Sequence, residues 1–116
     1  MVQDDLDQVI AIEQSSFTMP WSRNLFQAEF RSRNVSLMLA ARMPGQNRVI
    51  GYIVCWVVSD ELHILDLATD PAMRRKGVAR MLVLAALRKG FDRGALRAYL
   101  EVRSSNRKVF RIDAFH

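Results

Sequence analysis

A basic turn that contains a glycine is the segment of this chain best suited to bind a phosphate group. Arg74, Arg75 and Lys76 precede Gly77, and Arg80 follows it, between an apolar strand and a long apolar helix. The first N–H groups of a helix have no intrahelical partner, and the helix dipole places partial positive charge there. Glycine lets the backbone approach an oxyanion because it has no Cβ. The segment predicts a ligand that carries a pyrophosphate, although a solvated basic helix start would show the same residues.

A carboxylate further along the chain is the second feature that could do chemistry. Glu101 lies in a predicted strand. The alternation of side chains places Tyr99, Glu101 and Arg103 on one face. The more apolar Ala98, Leu100 and Val102 lie on the other face. Such a carboxylate can accept a proton from a reacting group. A surface carboxylate paired with Arg103 is the structural alternative.

Other reactive side chains give weaker signals. Cys55 lies in an apolar strand and is expected to be a buried, inert thiol. His63 is expected to have a structural or surface role. One cysteine and two histidines offer no metal-ligand spacing, so no metal site is predicted. The single cysteine excludes an internal disulfide and fits a cytoplasmic location.

Length and charge limit the fold and the partners. The chain has 116 residues, which predicts a single domain over 1–116. Its net charge of +5 favours anionic partners, such as a phosphorylated cofactor or a nucleic acid. No apolar run reaches the ~18 residues of a membrane span, and the start does not resemble a signal peptide. No membrane association is therefore expected.

The elements that must position these residues follow from apolar periodicity and turn residues. Asp4 or Asp5 is expected to cap a first helix that ends near Phe17, and Ser22 to cap a second that Asn34 closes. Strands are predicted over 35–42, 49–58, 61–69 and 95–103, a hairpin turn over 44–47, and a helix over 78–89. Gly90 or Gly94 is expected to end that helix, and another helix could start within 107–116. The predicted inward residues of the helix over 78–89 are Met81, Leu82, Ala85 and Ala86.

This order of elements predicts a mixed sheet. The first three strands form an antiparallel meander, and a strand–helix–strand crossover follows, so at least one strand pair should be parallel. The fold class is therefore α/β.

Three motifs together resemble one known family. The turn matches R-x-x-G-x-A at residues 74–79, a general pattern of the GNAT superfamily of N-acetyltransferases. The tract Leu-Glu-Val-Arg-Ser-Ser-Asn at 100–106 and the tract Met-Pro-Trp-Ser at 19–22 are similar to the ribosomal-protein-alanine N-acetyltransferase branch. The resemblance covers roughly residues 3–106. It implies a GNAT-like mixed sheet with flanking helices, shortened at both ends and with its C-terminal part missing.

The resemblance also implies a function. It implies transfer of an acetyl group from acetyl-CoA to a protein N-terminal amine, with the N-terminal alanine of a small-subunit ribosomal protein as acceptor. Another acceptor amine, or an inactive acetyl-CoA-binding remnant, are alternatives. A small basic nucleic-acid-binding module is a further alternative, but the chain lacks an aromatic-studded basic strand and a recognition helix.

The resemblance assigns roles to individual positions. Glu101 matches the proton acceptor of the family, and Asp113 falls where the family has a tyrosine that protonates the leaving thiolate. A backbone N–H near Leu67 can polarise the thioester carbonyl, and no covalent nucleophile is required. The implied cofactor-binding residues are Leu67, Ala68 and Thr69 for the pantetheine arm, Arg75, Lys76, Gly77, Val78, Ala79 and Arg80 for the pyrophosphate, and Asn106.

Several aromatic and sulfur-containing residues have open or structural assignments. Trp21 could line a substrate groove or could be a hydrophobic staple of the second helix. Trp56 is expected in the core. Tyr52 or Tyr99 could replace the missing proton donor, although the spacing requires neither. The methionines, including Met73 and Met81, are expected to be packing residues.

Overall fold

The elements follow the order expected from the sequence, with one strand added. The computed structural model describes residues 1–102 and 108–112, and the side chains of residues 1–100. The helices are α1 (Leu6–Ser16), α2 (Arg23–Arg31) and α3 (Val78–Asp92), with short 3-10 turns at Gln3–Asp5 and Pro71–Met73. The strands are β1 (Ser36–Arg42), β2 (Val49–Val58), β3 (Glu61–Thr69), β4 (Arg97–Val102) and β5 (Lys108–Ile112).

The strands form one mixed sheet in the order β1-β2-β3-β4-β5. All neighbouring pairs are antiparallel except β3 and β4, which are parallel and are connected through α3. The predicted meander, crossover and α/β class are confirmed. The expectation of a further helix within 107–116 is wrong for 108–112, because that segment pairs with β4 as an edge strand.

Helix α3 covers one face of the sheet, and α1 with α2 covers the other. Buried residues on the α3 face include Leu37, Ile53, Leu62, Ile64, Val78, Leu82 and Ala86. Those on the α1–α2 face include Leu6, Val9, Phe26, Phe30, Tyr52 and Val54. Alternation along β2 explains this division, since Ile53 and Val54 belong to opposite cores.

The helix starts differ in how their caps form. Ser22 caps α2 as predicted, and its side chain accepts the Leu25 N–H at 3.3 Å. Asp5 is the N-cap residue of α1, as expected, but its side chain makes no capping hydrogen bond to α1, because its carboxylate instead accepts the Val2 N–H of the preceding 3-10 turn. Asp5 also pairs with Arg42 at 2.6 Å. That hydrogen bond from Arg42 is the main reason that the pKa of Asp5 is lowered.

Three apolar residues lie outside the core, contrary to expectation, and one of them is Met19, which is 83% exposed. Met81 on α3 is 52% exposed, whereas its neighbour Leu82 is buried. Trp56 on β2 is 41% exposed, and its indole N–H donates to Glu29 of α2 at 2.8 Å. The end of α3 lies at Asp92, and Gly94 adopts the left-handed conformation after it, so Gly94 rather than Gly90 ends the helix.

Cys55 is fully buried and free, as predicted. Burial raises the pKa of its thiol to about 12, so the reactive thiolate does not form near neutral pH. Among the described residues, no helix combines the length and apolar character that crossing a bilayer requires.

Candidate functional site

Strands β3 and β4 separate at one end of the sheet. Their recorded pairing runs from Glu61–Arg97 to Ile64–Leu100 and includes no later pair among the described residues. Strand β3 nevertheless continues to Thr69 against β2, and β4 continues to Val102 against β5. A gap therefore opens between the two parallel strands.

The backbone of β3 presents hydrogen-bonding groups to this gap. The Asp70 N–H donates to the Ile50 carbonyl at 2.8 Å, so Asp70 directs its amide towards β2. Successive residues of a strand direct their N–H and C=O groups to opposite edges. The backbone N–H and C=O groups of Ala68 therefore point towards β2. The backbone N–H and C=O groups of Leu67 and Thr69 point towards the gap.

Asp70 holds the turn that follows β3. Its carboxylate accepts the Ala72 N–H at 2.9 Å and pairs with Arg48 of the β1–β2 hairpin at 3.1 Å. The Met73 N–H donates to its carbonyl at 2.8 Å. The Ala72 N–H and then the Arg48 guanidinium hold the pKa of the Asp70 carboxyl below its usual value. The turn is thus fixed to the sheet before the basic segment begins.

The basic segment has the backbone of an anion-binding turn. Arg75 and Gly77 both have positive φ, 64° and 81°. Gly77 is the N-cap of α3 and provides no side-chain hydrogen bond to the first-turn N–H groups. A Cβ at Gly77 would meet no atom of the described residues within 4 Å, so the space beside Gly77 itself is open. Backbone N–H groups in such left-handed turns form concavities that bind anions.

The basic side chains around this turn are exposed. They belong to Arg74, Arg75, Lys76 and Arg80. Val78 by contrast is buried and anchors the first turn of α3 in the core. The charges are thus presented to solvent next to a fixed helix start, which favours a multiply charged anion.

The end of α1 forms the opposite wall. A cleft of about 310 Å³ is lined by Ser16, Phe17, Leu67, Ala68, Thr69, Arg74 and Ala79. Arg74 donates to the Ser16 hydroxyl at 3.3 Å across it. The structure thus brings the predicted residues Leu67, Ala68 and Thr69 of β3 together with Ala79 of α3, whereas the other predicted pyrophosphate residues, at 75–78 and 80, do not line this cleft. The Ser16–Phe17 wall was missed because no motif marks it.

Glu101 is the first residue of β4 after its last recorded pair with β3, where the gap begins, and it pairs with Val109 of β5. Its side chain lies outside the described residues, so the role of the carboxylate stays a prediction. The predictions on Arg103, Ser104, Asn106 and Asp113 also fall outside the described residues.

Tyr99 and Tyr52 have different surroundings. Tyr99 stacks on its register partner His63, with ring centroids 5.1 Å apart, and His63 contacts Glu61 at 3.0 Å. Tyr52 is fully buried, and its hydroxyl donates to Glu13 of α1. Among the described residues, no group of three or more His, Cys, Asp or Glu side chains could hold a metal ion.

The sequence model of the acetyltransferase (GNAT) family matches residues 6–112. The chain belongs to the GNAT acetyltransferase family. The expected fold and acetyltransferase class are thereby confirmed, as is acetyl-CoA as acetyl donor at the level of the family.

Two of the similar proteins are ribosomal-protein-alanine N-acetyltransferases. The chain is 33% identical over 102 residues to the ribosomal protein bS18-alanine N-acetyltransferase of Salmonella typhimurium, covering 88% of this chain and 66% of that enzyme. The crystal structure of the ribosomal-protein-S18-alanine N-acetyltransferase from Escherichia coli matches with a TM-score of 0.78 and 29% identity, over 91% of this chain and 66% of that one. The chain thus spans about two thirds of these relatives. The paia N-acetyltransferase of Thermoplasma acidophilum in complex with coenzyme A shares the fold, with a TM-score of 0.75, 20% identity, and coverage of 91% and 78%.

Proposed function

We propose that this chain binds acetyl-CoA in the gap between β3 and β4 and transfers the acetyl group to the N-terminal amine of a protein. The observation that carries the proposal is the combination of two backbone segments whose amides have no recorded partner within residues 1–102 and 108–112. Leu67 and Thr69 direct amides into the gap, and the turn at Arg75 and Gly77 leaves first-turn N–H groups of α3 open. The pantetheine arm with its thioester would bind the strand amides, and the pyrophosphate would bind the amides at the start of α3.

The proposed pyrophosphate site is the start of α3. Six residues provide open amides, positive charge or space for the ligand: Arg75, Lys76, Gly77, Val78, Ala79 and Arg80. The open space beside Gly77 fits a ligand oxygen close to the backbone. The electrostatic part of this binding should weaken with salt, because the cations are exposed.

The proposed acetyl site is the end of β3. The backbone of Leu67, Ala68 and Thr69 would hold the pantetheine arm, and we assign Asn106 a further contact by its match to the family motif. Bound acetyl-CoA supplies a thioester whose carbonyl carbon is the electrophile. The Leu67 N–H would stabilise negative charge on the carbonyl oxygen, as oxyanion donors do.

Glu101 is the proposed general base. An ammonium has no lone pair, so a carboxylate must take its proton, directly or through water, before the amine attacks. The reaction forms a C–N bond and breaks a C–S bond, and coenzyme A leaves as a thiol. Asp113 falls where the family has its proton-donating tyrosine, and an ionised carboxylate there is a poor donor near pH 7. We therefore expect slow turnover by this chain.

The proposed acceptor is the N-terminal alanine of a small-subunit ribosomal protein. The names of the similar enzymes from Salmonella and Escherichia coli support this substrate class. The reaction would then take place in the cytoplasm, where ribosomal proteins are made.

Calorimetry with acetyl-CoA, followed by single-turnover acetylation of a peptide that begins with alanine, tests the proposal. We expect binding and slow acetylation, and loss of most acetylation in Glu101→Gln with acetyl-CoA binding kept. Absence of acetyl-CoA binding to a folded sample contradicts the proposal. Tight nucleic-acid binding with a steep salt dependence, without acetyl-CoA binding, would favour the nucleic-acid alternative.

A further inference from the structure

An ion pair joins the hairpin between β1 and β2 to the turn that follows β3. Arg48 is the last residue before β2, and its guanidinium donates to one carboxylate oxygen of Asp70 at 3.1 Å. The other oxygen accepts the Ala72 N–H at 2.9 Å. Asp70 directly precedes the 3-10 turn Pro71–Met73, and the basic segment follows that turn. One carboxylate therefore connects the hairpin to the segment that leads into the proposed pyrophosphate site.

The hairpin end of this ion pair is held by α1 and β1. The Gln8 side-chain oxygen accepts the Val49 N–H at 2.9 Å, and its amide group donates to the Asn47 carbonyl at 3.3 Å. The Arg42 guanidinium donates to the same carbonyl at 3.4 Å. These bonds hold the residues on both sides of Arg48. Its side chain therefore extends from a fixed backbone.

Packing holds the 3-10 turn less firmly than it holds α3. No residue of the turn is buried, although Met73 packs partly against the core on the α3 face. A cleft of about 260 Å³ lies between the turn and α1, and its lining includes Ile12, Asp70 and Pro71. Where side chains do not fill the space under a segment, polar contacts contribute more to its position. The Arg48–Asp70 pair is such a contact.

The charge of Asp70 does not by itself favour an anionic ligand. The Ala72 N–H and then Arg48 lower the pKa of Asp70, with a smaller contribution from the charge of Arg74. Asp70 is therefore ionised near neutral pH, next to the cations of the proposed site. A negative charge there opposes a pyrophosphate. Any gain in affinity from Asp70 must therefore come from geometry.

We propose that Arg48 and Asp70 are positioning residues for acetyl-CoA. Their ion pair holds the 3-10 turn against the hairpin, and so sets where residues 74–77 lie relative to the end of β3. A turn that is already in place lowers the entropy that ligand binding must overcome. The inference rests on the proposed function and extends it to two residues that act through the turn.

Asp70→Asn separates position from charge, because the two effects have opposite signs. Asparagine keeps an oxygen that can accept the Ala72 N–H, but it loses the ion pair with Arg48. Loss of a negative charge by itself should tighten acetyl-CoA binding. Loss of the positioning contact should weaken it, by about threefold for a partly exposed pair. We expect calorimetry to show the weaker binding.

A double-mutant cycle tests whether the effect passes through the pair. Arg48→Gln should weaken acetyl-CoA binding by a similar factor, and the double variant with Asp70→Asn should bind no more weakly than either single variant. Arg48→Lys should recover part of the affinity, because it keeps the charge. Asp60→Asn is the matched control. Asp60 directly precedes β3, as Asp70 directly follows it, and it pairs with Arg97. The control should keep wild-type acetyl-CoA affinity.

The outcomes separate this inference from the proposed function. Absence of acetyl-CoA binding by the wild type overturns both. Unchanged or tighter binding in Asp70→Asn overturns the role of the ion pair and leaves the proposed function standing. Additive weakening in the double variant, or equal weakening in Asp60→Asn, overturns that role as well. If Asp70→Asn does not fold, Arg48→Gln decides, and wild-type affinity in that variant overturns the inference.

Discussion

Gly51 of β2 lies directly beneath Val78, the first residue of α3. A Cβ at Gly51 would lie 2.9 Å from Val78 Cγ1 and 3.1 Å from the Ala68 carbonyl oxygen. The missing side chain therefore sets how closely the start of α3 approaches the sheet. Because the proposed pyrophosphate turn is continuous with α3, this contact also sets the position of that turn relative to β3.

Gly51→Ala should destabilise the protein and weaken acetyl-CoA binding. Overpacking of this kind costs about 1–3 kcal/mol, and relaxation would move the α3 start away from β3. Gly90→Ala is the control, because its Cβ would meet Leu62 at the other end of α3. Thermal unfolding should show a lower midpoint temperature for both variants. Calorimetry should show a lower affinity for acetyl-CoA for Gly51→Ala alone. Unchanged affinity in Gly51→Ala would show that the contact does not position the turn.

Gly77→Ala should reduce both stability and cofactor affinity. A side chain at φ 81° costs about 1–2 kcal/mol, and it would occupy the space assigned to a phosphate oxygen. Gly94→Ala is the matched control. Gly94 also has a positive φ and open space where a Cβ would lie, but it follows the end of α3. Denaturant unfolding should show similar decreases in the free energy of unfolding for the two variants. Acetyl-CoA binding should be weakened only in Gly77→Ala. Gly77→Asp should bind more weakly still, because it adds negative charge.

Two substitutions of Arg75 separate charge from backbone strain. Arg75→Ala and Arg75→Gly should weaken acetyl-CoA by a similar factor, about tenfold, because both remove the guanidinium. Arg75→Gly should be the more stable, because glycine tolerates φ 64°. Arg88→Ala, an exposed cation further along α3, should change neither property. Equal acetyl-CoA affinity of Arg75→Ala and the wild type would show that the Arg75 side chain does not contribute to the proposed site.

Burial of Cys55 makes stability fall at alkaline pH. The ordinary pKa of a cysteine thiol in an unfolded chain is about 8.5, but burial raises the pKa of Cys55 to about 12 in the folded protein. Between these values the unfolded state binds fewer protons than the folded state. The free energy of unfolding should therefore drop by up to ~1.4 kcal/mol per pH unit above pH 9.

Urea unfolding between pH 8 and pH 10 measures this drop, and Cys55→Ala should remove the part due to the thiol. Thiol reagents should modify Cys55 at pH 8 only after unfolding. Rapid modification of the folded protein would contradict the buried, inert assignment.

Short-range signals were sufficient for much of the fold. The bounds of β2 and β3 agree with the prediction because apolar runs end at turn residues there. Ser22 was identified as a cap because its hydroxyl reaches an amide three residues away. The residue types of the anion-binding turn were likewise readable, since Gly77 and the preceding cations are consecutive in the chain.

Assignments that depended on distant partners failed or stayed open. Trp56 has a core residue type, but its position on β2 lets the indole reach Glu29 of α2 near solvent. Residues 108–112 form a strand because β4 offers them an edge, which their own pattern does not show. The choice between a groove and a staple for Trp21 was settled in part by packing against Phe26.

The sequence by itself determined which residues could bind a pyrophosphate and accept a proton, because those properties belong to residue types and local spacing. Only the tertiary structure decided where β3 and β4 separate after Ile64–Leu100, and that the end of α1 faces the end of β3. It alone tied Glu13 to both Trp21 and Tyr52. These relationships join residues far apart in the chain, and they are fixed by which helix covers which face of the sheet, a choice that depends on the packing of the whole core.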